Sequence, residues 1–238
     1  MVVRFQSVTF ESPDPERDAE FWRGILGRPL ERDSGGILLA GAGGQAGIRF
    51  ALGAAHGSAR NRLHLHLSDR PPGQSGTIEA CVKLGGRLLG NGHVPENSYA
   101  AMADPVGDEY CVIEDGNGYL AGCGPLGEIT CAGTPRVGHF WSRALGWPLV
   151  WEKGEETAIQ SGAGGTKIAW SGEWATPQSG TDRQYFTVTA DEQDFDHEVS
   201  RLRALGASDQ ANRTSAGMVL SDPDGIDFVV RAVPSGRP

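Results

Sequence analysis

The sequence predicts an α+β protein built by internal duplication. A strand with alternating apolar residues is followed by an amphipathic helix and three short strands, and this pattern occurs twice in the first half of the chain. The whole first half then recurs in the second. The 238 residues are enough for two ordinary domains, and 35 glycines predict many tight turns between strands.

Composition argues against several classes of partner. The net charge is −9 and the pI is about 5.1, without a basic run, which argues against nucleic acid and anionic membranes. The first residues do not resemble a signal peptide, and no stretch approaches the ~18 apolar residues of a transmembrane helix. The cysteines fit no CxxC pattern and are interpreted as reduced thiols of a cytoplasmic protein; they are Cys81, Cys111, Cys123 and Cys131.

The first half contains the pattern twice. Residues 2–11 alternate as a strand, Ser12 or Asp14 can cap a helix, and Gly27 ends that helix. Short strands follow around Leu30 and at residues 36–40 and 47–52. The second occurrence has a strand at residues 62–68 and a helix at residues 76–84. Its later strands are expected at residues 87–89, 100–103 and 109–113, before a glycine-rich linker at residues 115–127.

Three motifs of the first half recur in order in the second half. Residues 21–30 (FWRGILGRPL) correspond to 140–149 (FWSRALGWPL), residues 41–44 (GAGG) to 162–165, and residues 104–107 (DPVG) to 222–225 (DPDG). The offsets are 119, 121 and 118 residues, which indicates a duplication. We therefore predict domains at residues 1–118, with modules at about 1–55 and 60–116, and at residues 124–238, with modules at about 126–176 and 182–234.

These motifs resemble the glyoxalase-like domains of the vicinal oxygen chelate superfamily, which includes glyoxalase, bleomycin-resistance and dioxygenase proteins. The resemblance covers nearly the whole chain twice. It implies tandem domains, each of two βαβββ modules whose curved sheet surrounds a cavity, with helices outside. It leaves the function open, because the superfamily includes lyases, isomerases, dioxygenases, transferases and antibiotic-binding resistance proteins.

Residues 63–67 (LHLHL) carry the main candidate for chemistry. Alternation places His64 and His66 on the strand face opposite the leucines, and the resemblance places that face on the cavity. The pair can act as acid and base, or can merely bond to neighbouring strands. Glu109 and Cys111 are further catalytic candidates; Glu109 can instead be solvated at the rim, and Cys111 can be a small core residue.

Other positions are predicted to contact a ligand, because alternation and the resemblance place them on a cavity wall or mouth. They are Ser7, Thr9, Glu11, Glu128, Trp170, Phe186, Asp227 and Arg231, with Trp174 as a further candidate at the mouth. Asp227 and Arg231 can alternatively form a structural ion pair.

The sequence predicts no metal and no other cofactor. In metal-dependent relatives, ligands come from the first strand of each module and from the final strand that follows the Asp-Pro motif, and the resemblance carries those positions to Ser7, His64, Cys111, Glu128, Phe186 and Val229. Phenylalanine and valine cannot bind an ion, which argues against a metal in the second domain. A metal in the first domain would point to His64, His66 and Cys111.

Two functions fit these features. The first is a metal-independent isomerase, cyclase or lyase that performs acid–base chemistry on a small organic molecule in the N-terminal cavity. The alternative is a protein that binds a small molecule or antibiotic and sequesters it. The expected partner is a small organic substrate or ligand, and the chain is expected to be a monomer or homodimer.

Overall fold

Four copies of a βαβββ module make up the computed structural model, which describes residues 2–53, 62–68, 73–90, 99–172, 183–214 and 217–235. Module 1 contains β1 (Arg4–Ser12), α1 (Pro15–Leu26), β2 (Leu30–Asp33), β3 (Gly36–Leu39) and β4 (Gly47–Leu52). Module 2 contains β5 (Leu63–Leu67), α2 (Gly73–Lys83), β6 (Arg87–Leu88), β7 (Tyr99–Ala103) and β8 (Glu109–Ile113).

The second half repeats this order. Module 3 contains β9 (Leu126–Cys131), α3 (Pro135–Leu145), β10 (Leu149–Lys153), β11 (Glu156–Gln160) and β12 (Lys167–Ser171). Module 4 contains β13 (Gln184–Asp191), a short 3₁₀ turn (Glu192–Asp194), α4 (Phe195–Leu205), β14 (Ser208–Thr214), β15 (Gly217–Ser221) and β16 (Asp227–Val233). None of the helices in the described part of the chain has the length and apolar character needed to cross a bilayer.

Helix α1 begins and ends at the residues that the sequence marks. The Asp14 side chain accepts a hydrogen bond from the Arg17 backbone N–H at 3.2 Å, and Pro15 begins the first turn. Gly27 ends the helix in the left-handed conformation, with φ of 67°. Helix α2 begins at Gly73, earlier than the predicted residue 76.

The modules pair into two curved sheets of eight strands each. Sheet I joins modules 1 and 4 in the order β14-β15-β16-β13-β1-β4-β3-β2. Sheet II joins modules 2 and 3 in the order β10-β11-β12-β9-β5-β8-β7-β6. The tandem α+β modules and curved sheets agree with the predicted fold class, but each sheet takes one module from each half of the sequence. The expectation that adjacent modules share a sheet is therefore wrong.

The physical reason lies in the free edge of each module's first strand. Within module 1, β1 pairs in parallel with β4 and leaves its other edge open. In the folded chain, β13 covers that edge in antiparallel orientation, and β9 covers the open edge of β5 in the same way. A repeated motif identifies the modules but does not specify which one covers which edge.

Each half of the sequence is nevertheless connected through its repeated motifs. The indole N–H of Trp22 in α1 donates to Asp104 Oδ2 at 3.3 Å, and that of Trp141 in α3 donates to Asp222 Oδ2 at 3.4 Å. All four side chains are buried. The repeated contact explains why the Phe-Trp and Asp-Pro motifs recur together: the helix of one module contacts the turn of the next.

The two GAGG turns join sheet I to sheet II. The Thr166 backbone N–H donates to the Gly44 carbonyl at 3.1 Å. A Cβ on Gly44 would lie 2.2 Å from the Gly164 carbonyl oxygen, and one on Gly165 would lie 2.1 Å from the Gly44 carbonyl oxygen. Both residues also have positive φ, so no other residue type fits this contact without strain.

Candidate functional site

The histidine pair lies on the concave face of sheet II. Leu63, Leu65 and Leu67 on β5 are buried in the core, whereas His64 and His66 point the other way and are half-buried. This is the arrangement that strict alternation along a strand requires.

Pairing between the halves brings an acid to these histidines. Strand β9 runs antiparallel to β5 and places Glu128 opposite His66 and Thr130 opposite His64. Strand β8 places Cys111 beside His66 on the other side. Glu128 is buried, with 6% of its surface exposed. The site therefore uses residues of both predicted domains, not of the N-terminal one alone.

A continuous chain of hydrogen bonds links four of these side chains. Glu128 Oε2 lies 2.8 Å from His66 Nδ1, and His66 Nε2 lies 2.9 Å from His64 Nε2. The Tyr119 hydroxyl donates to the second Glu128 oxygen, Oε1, at 2.8 Å. Because a carboxylate only accepts, we assign a proton to His66 Nδ1, and the two Nε2 atoms share the next proton along the chain.

Burial sets the protonation of the two ends of this chain. Desolvation, and then the charge of His66, lower the pKa of His64 to about 4, so its imidazole is neutral at pH 7. Desolvation and the nearby Glu128 carboxylate raise the pKa of Tyr119 well above its ordinary value. Tyr119 therefore remains a hydrogen-bond donor over the whole physiological range.

The linker between the halves covers part of the concave face. Leu120 and Cys123 pack against Cys111 and Ile113, while Tyr119 reaches Glu128.

Burial, and then Glu109, raise the pKa of Cys111 to about 12, so its thiol stays protonated and is not an activated nucleophile. Glu109 is exposed at the start of β8. Tyr119 was missed in the sequence, although it is the one aromatic residue of the glycine-rich linker.

An open cavity of about 400 Å³ lies over the module 3 part of sheet II. It is lined by Tyr119, Glu128, Thr130, Trp151, Glu156, Thr157, Ala169, Trp170 and Ser171. The Tyr119 and Trp151 rings meet edge to face with centroids 6.1 Å apart, and the Lys167 ammonium lies 3.9 Å from the Tyr119 ring centroid. Glu128 connects this cavity to the histidines, which lie on the adjacent strand.

The concave face of sheet I holds other predicted positions. Ser7, Thr9 and Glu11 share the face of β1 opposite the buried Val8 and Phe10. Thr9 and Thr187 have their hydroxyl oxygens 3.1 Å apart. On β16, the alternation puts Asp227, Val229 and Arg231 on the same side as Thr187, and Arg231 donates to Asp33 at 3.2 Å. These residues therefore belong to sheet I, whereas the histidines belong to sheet II.

Phe186 differs from the prediction, whereas Trp170 lines the sheet II cavity. Phe186 packs in the core, with its ring 5.2 Å from the Trp141 ring, so it does not face the sheet I concavity. Tyr185 and Thr187, its neighbours on β13, face that side because they pair with Thr9 and Ser7. Trp170 is also largely buried, 2% exposed, and forms part of the lining of the sheet II cavity. Trp174 lies outside the described residues.

Three side chains at the histidine pair offer atoms of the kind that ligate a metal ion. His64, His66 and Cys111 offer ligand atoms that all lie within 4.8 Å of one another. Imidazole and thiolate suit an ion of the zinc class, and a carboxylate on His66 Nδ1 is a common partner of a metal-bound histidine. The donors fit such an ion in type once the shared histidine proton and the Cys111 thiol proton leave. Bound there, it would supply Lewis-acid chemistry.

Comparisons with solved structures support the fold. Glyoxalase I from Zea mays matches with a TM-score of 0.63 at 14% identity, over 96% of this chain and 92% of that one. A putative dioxygenase from Bacillus subtilis subsp. subtilis str. 168 matches with a TM-score of 0.64 at 15% identity, over 99% and 86%. At this identity the likeness concerns the fold alone. No curated protein sequence is similar enough to the chain to be matched to it.

The family comparison agrees with the internal repeat. A model of the glyoxalase-like domain matches residues 7–113 and again residues 128–231. Together these matches cover most of the chain and leave out the linker that carries Tyr119. The chain therefore belongs to the glyoxalase-like domain family and contains two tandem copies of that domain.

Proposed function

We propose that this protein is a metal-independent enzyme that transfers a proton on a small organic substrate, as an isomerase, cyclase or lyase does. The observation that carries the proposal is the chain from Glu128 through His66 to His64, whose acid end lines the cavity of sheet II. A carboxylate at a cavity wall that is hydrogen-bonded to a pair of imidazoles is suited to act as a general base and then as a general acid.

The roles follow from position. Glu128 is the group at the cavity wall and takes a proton from the substrate. His66 and Tyr119 bond one Glu128 oxygen each at 2.8 Å, which fixes the orientation of the carboxylate. His64, neutral at pH 7, shares a proton with His66 Nε2 and so keeps the His66 Nδ1–H directed at Glu128. The proton that leaves the substrate returns from Glu128 to another atom of the same molecule, or leaves with the departing group.

The test is proton exchange on a panel of small carbonyl compounds in D₂O, followed by NMR. Glu128→Gln should slow exchange on an active compound by about 10²–10⁴-fold, the usual effect of losing a general base. Glu156→Gln is the matched control, since Glu156 lines the same cavity without contacting the histidines; we expect a much smaller loss. Equal losses in both variants would contradict the assignment of Glu128.

The aromatic wall of the cavity favours a second candidate, the binding of a flat hydrophobic compound for sequestration. Tyr119 and Trp151 present ring surface beside the opening, and Trp151 is 42% exposed. Mass spectrometry of small molecules retained after purification distinguishes the two. A compound released unchanged, together with an absence of exchange in the panel, would favour binding.

A further inference from the structure

The concave face of sheet I contains an unusual arrangement of charge. Arg49 on β4 and Arg231 on β16 approach from opposite sides of the central pair β1 and β13. Both bind one carboxylate, that of Asp33 at the end of β2: Arg49 bidentately at 2.6 and 3.1 Å, and Arg231 at 3.2 Å. Two guanidinium groups therefore hold a single acid.

The surroundings of these arginines contain unused hydrogen-bonding capacity. The Arg49 side chain is 2% exposed, yet its Nε has no hydrogen-bond partner among the described residues. The Ser7 hydroxyl on the same face is fully buried and also lacks a partner there. Such groups ordinarily find a partner when water is excluded, because an unpaired buried donor is costly.

The acid that occupies the arginines belongs to an exposed hairpin. Asp33 is 40% exposed and begins the turn between β2 and β3, where it also accepts from the Gly35 backbone N–H at 2.7 Å. Burial opposes its ionisation, but the bonds from Arg49 and Gly35 outweigh burial and lower its pKa. The other acids of this face have separate neighbours: Glu11 interacts with Arg183, and Asp227 accepts from Ser221 at 2.6 Å.

We propose that the sheet I concavity is a second ligand site, which binds a small carboxylic acid through Arg49 and Arg231 in place of Asp33. A ligand carboxylate has the same two-oxygen geometry that Asp33 presents to Arg49. Tyr185 and Val229 on this face give the body of the ligand an apolar contact. Ser7 and Thr187 pair on the central strands of this site where Glu128 and His66 pair in sheet II, so the acid–histidine contact of sheet II is not repeated here and the proposed role is binding. It does not depend on the function proposed for sheet II.

Benzoate is a suitable probe, with benzamide as its neutral match, and binding is measured by calorimetry. Asp33→Asn removes the internal competitor and should bind benzoate about tenfold or more tightly than the wild-type protein. Adding Arg231→Gln to that variant should abolish the gain. Arg32→Gln is the matched control, because Arg32 pairs with Glu16 outside the concavity and is exposed.

Two results would overturn the proposal: no gain in benzoate affinity for Asp33→Asn, or equal binding of benzamide. If Asp33→Asn does not fold, thermal unfolding of the wild-type protein gives the answer. Millimolar benzoate should raise its Tm, and Arg231→Gln should remove that rise while Arg32→Gln keeps it. Equal protection of both arginine variants would refute a site at Arg231.

Discussion

At the scale of single residues, the central strands of the two sheets differ at one pair of positions. Ser7 precedes Glu128 by 121 residues, the offset that also relates the two GAGG motifs, and the two family matches begin at these residues. In sheet II this position pairs Glu128 with His66, which bond at 2.8 Å, and in sheet I it pairs Ser7 with Thr187. Hydroxyls near neutral pH neither take nor release a proton, so the chemistry that the fold supports is decided by these few side chains.

The low pKa of His64 is testable by NMR. Its imidazole should remain neutral in the folded protein until the pH approaches about 4. His66→Ala should raise this value, because the charge of His66 is the second cause of the shift after burial. His64→Ala assigns the resonance. A His64 signal that titrates near 6.5 in the wild-type protein would contradict the burial and contacts described here.

The same shift affects stability. Between about pH 6.5 and about pH 4, the unfolded chain binds a proton at His64 that the folded chain does not, so the free energy of unfolding should fall as the pH falls through this window. In His64→Ala this contribution disappears. Denaturant unfolding of the wild-type protein and of His64→Ala at several pH values measures the free energy of unfolding of each. If the two free energies changed with pH in parallel, His64 would not contribute in this way.

Metal content is a further test at the residue scale. We expect the purified protein to contain much less than one transition-metal ion per chain, because one histidine proton and the Cys111 thiol proton occupy the donors. Elemental analysis before and after dialysis against a chelator measures it. About one zinc-class ion per chain, lost in His64→Ala, would show that the donors are metallated and would exclude metal independence.

At the scale of elements, strand register decides which residues meet. The apolar residues of β13 are Phe186, Val188 and Ala190, and the rule that placed Leu65 in the core places them there too. The resemblance instead assigned Phe186 to the concave face. This assignment is one residue out of register with the observed strand, and a one-residue shift exchanges the two faces of a strand. The residues that do face the concavity, Tyr185 and Thr187, were therefore missed.

The linker is a second element whose role is testable. Leu120 is buried against Cys111 and Ile113, so Leu120→Ala should lower the free energy of unfolding by about 2–5 kcal/mol. Leu52→Ala is the control, since Leu52 is 81% exposed and its loss should matter little. Mass spectrometry should also detect faster alkylation of Cys111 in Leu120→Ala. Equal stability of the two variants would show that the linker does not seal this face.

At the scale of the whole molecule, the repeats predicted the fold but not the assembly. The motifs at constant offsets identify the modules, and alternation correctly placed His64 and His66 opposite the leucines. The contact between His66 and Glu128 joins residues 62 positions apart across two predicted domains. It depends on which module covers the open edge of β5, and that choice is made by long-range packing that no local pattern encodes.

The crossed assembly predicts how the chain responds to division. Residues 1–118 and 124–238, produced together as separate chains, should copurify, because each contributes one module to each sheet. Produced alone, each half should be unfolded or should self-associate through the exposed edges of its first strands. Size-exclusion chromatography with light scattering decides this. A folded, monomeric half with its own cooperative transition would contradict the crossed assembly.

The contact between the two GAGG turns has an evolutionary consequence. Each sheet combines a module from one repeat with a module from the other, which is the arrangement of a symmetric dimer of two-module chains that has been fused into one polypeptide. In an unfused ancestor, one mutation would alter both concavities at once. Fusion releases that constraint, and here one concavity carries Glu128 and His66 while the other carries Ser7 and Thr187 at the corresponding paired positions. The glycine contact cannot diverge in this way, because a side chain on either turn would force the ancestral halves apart.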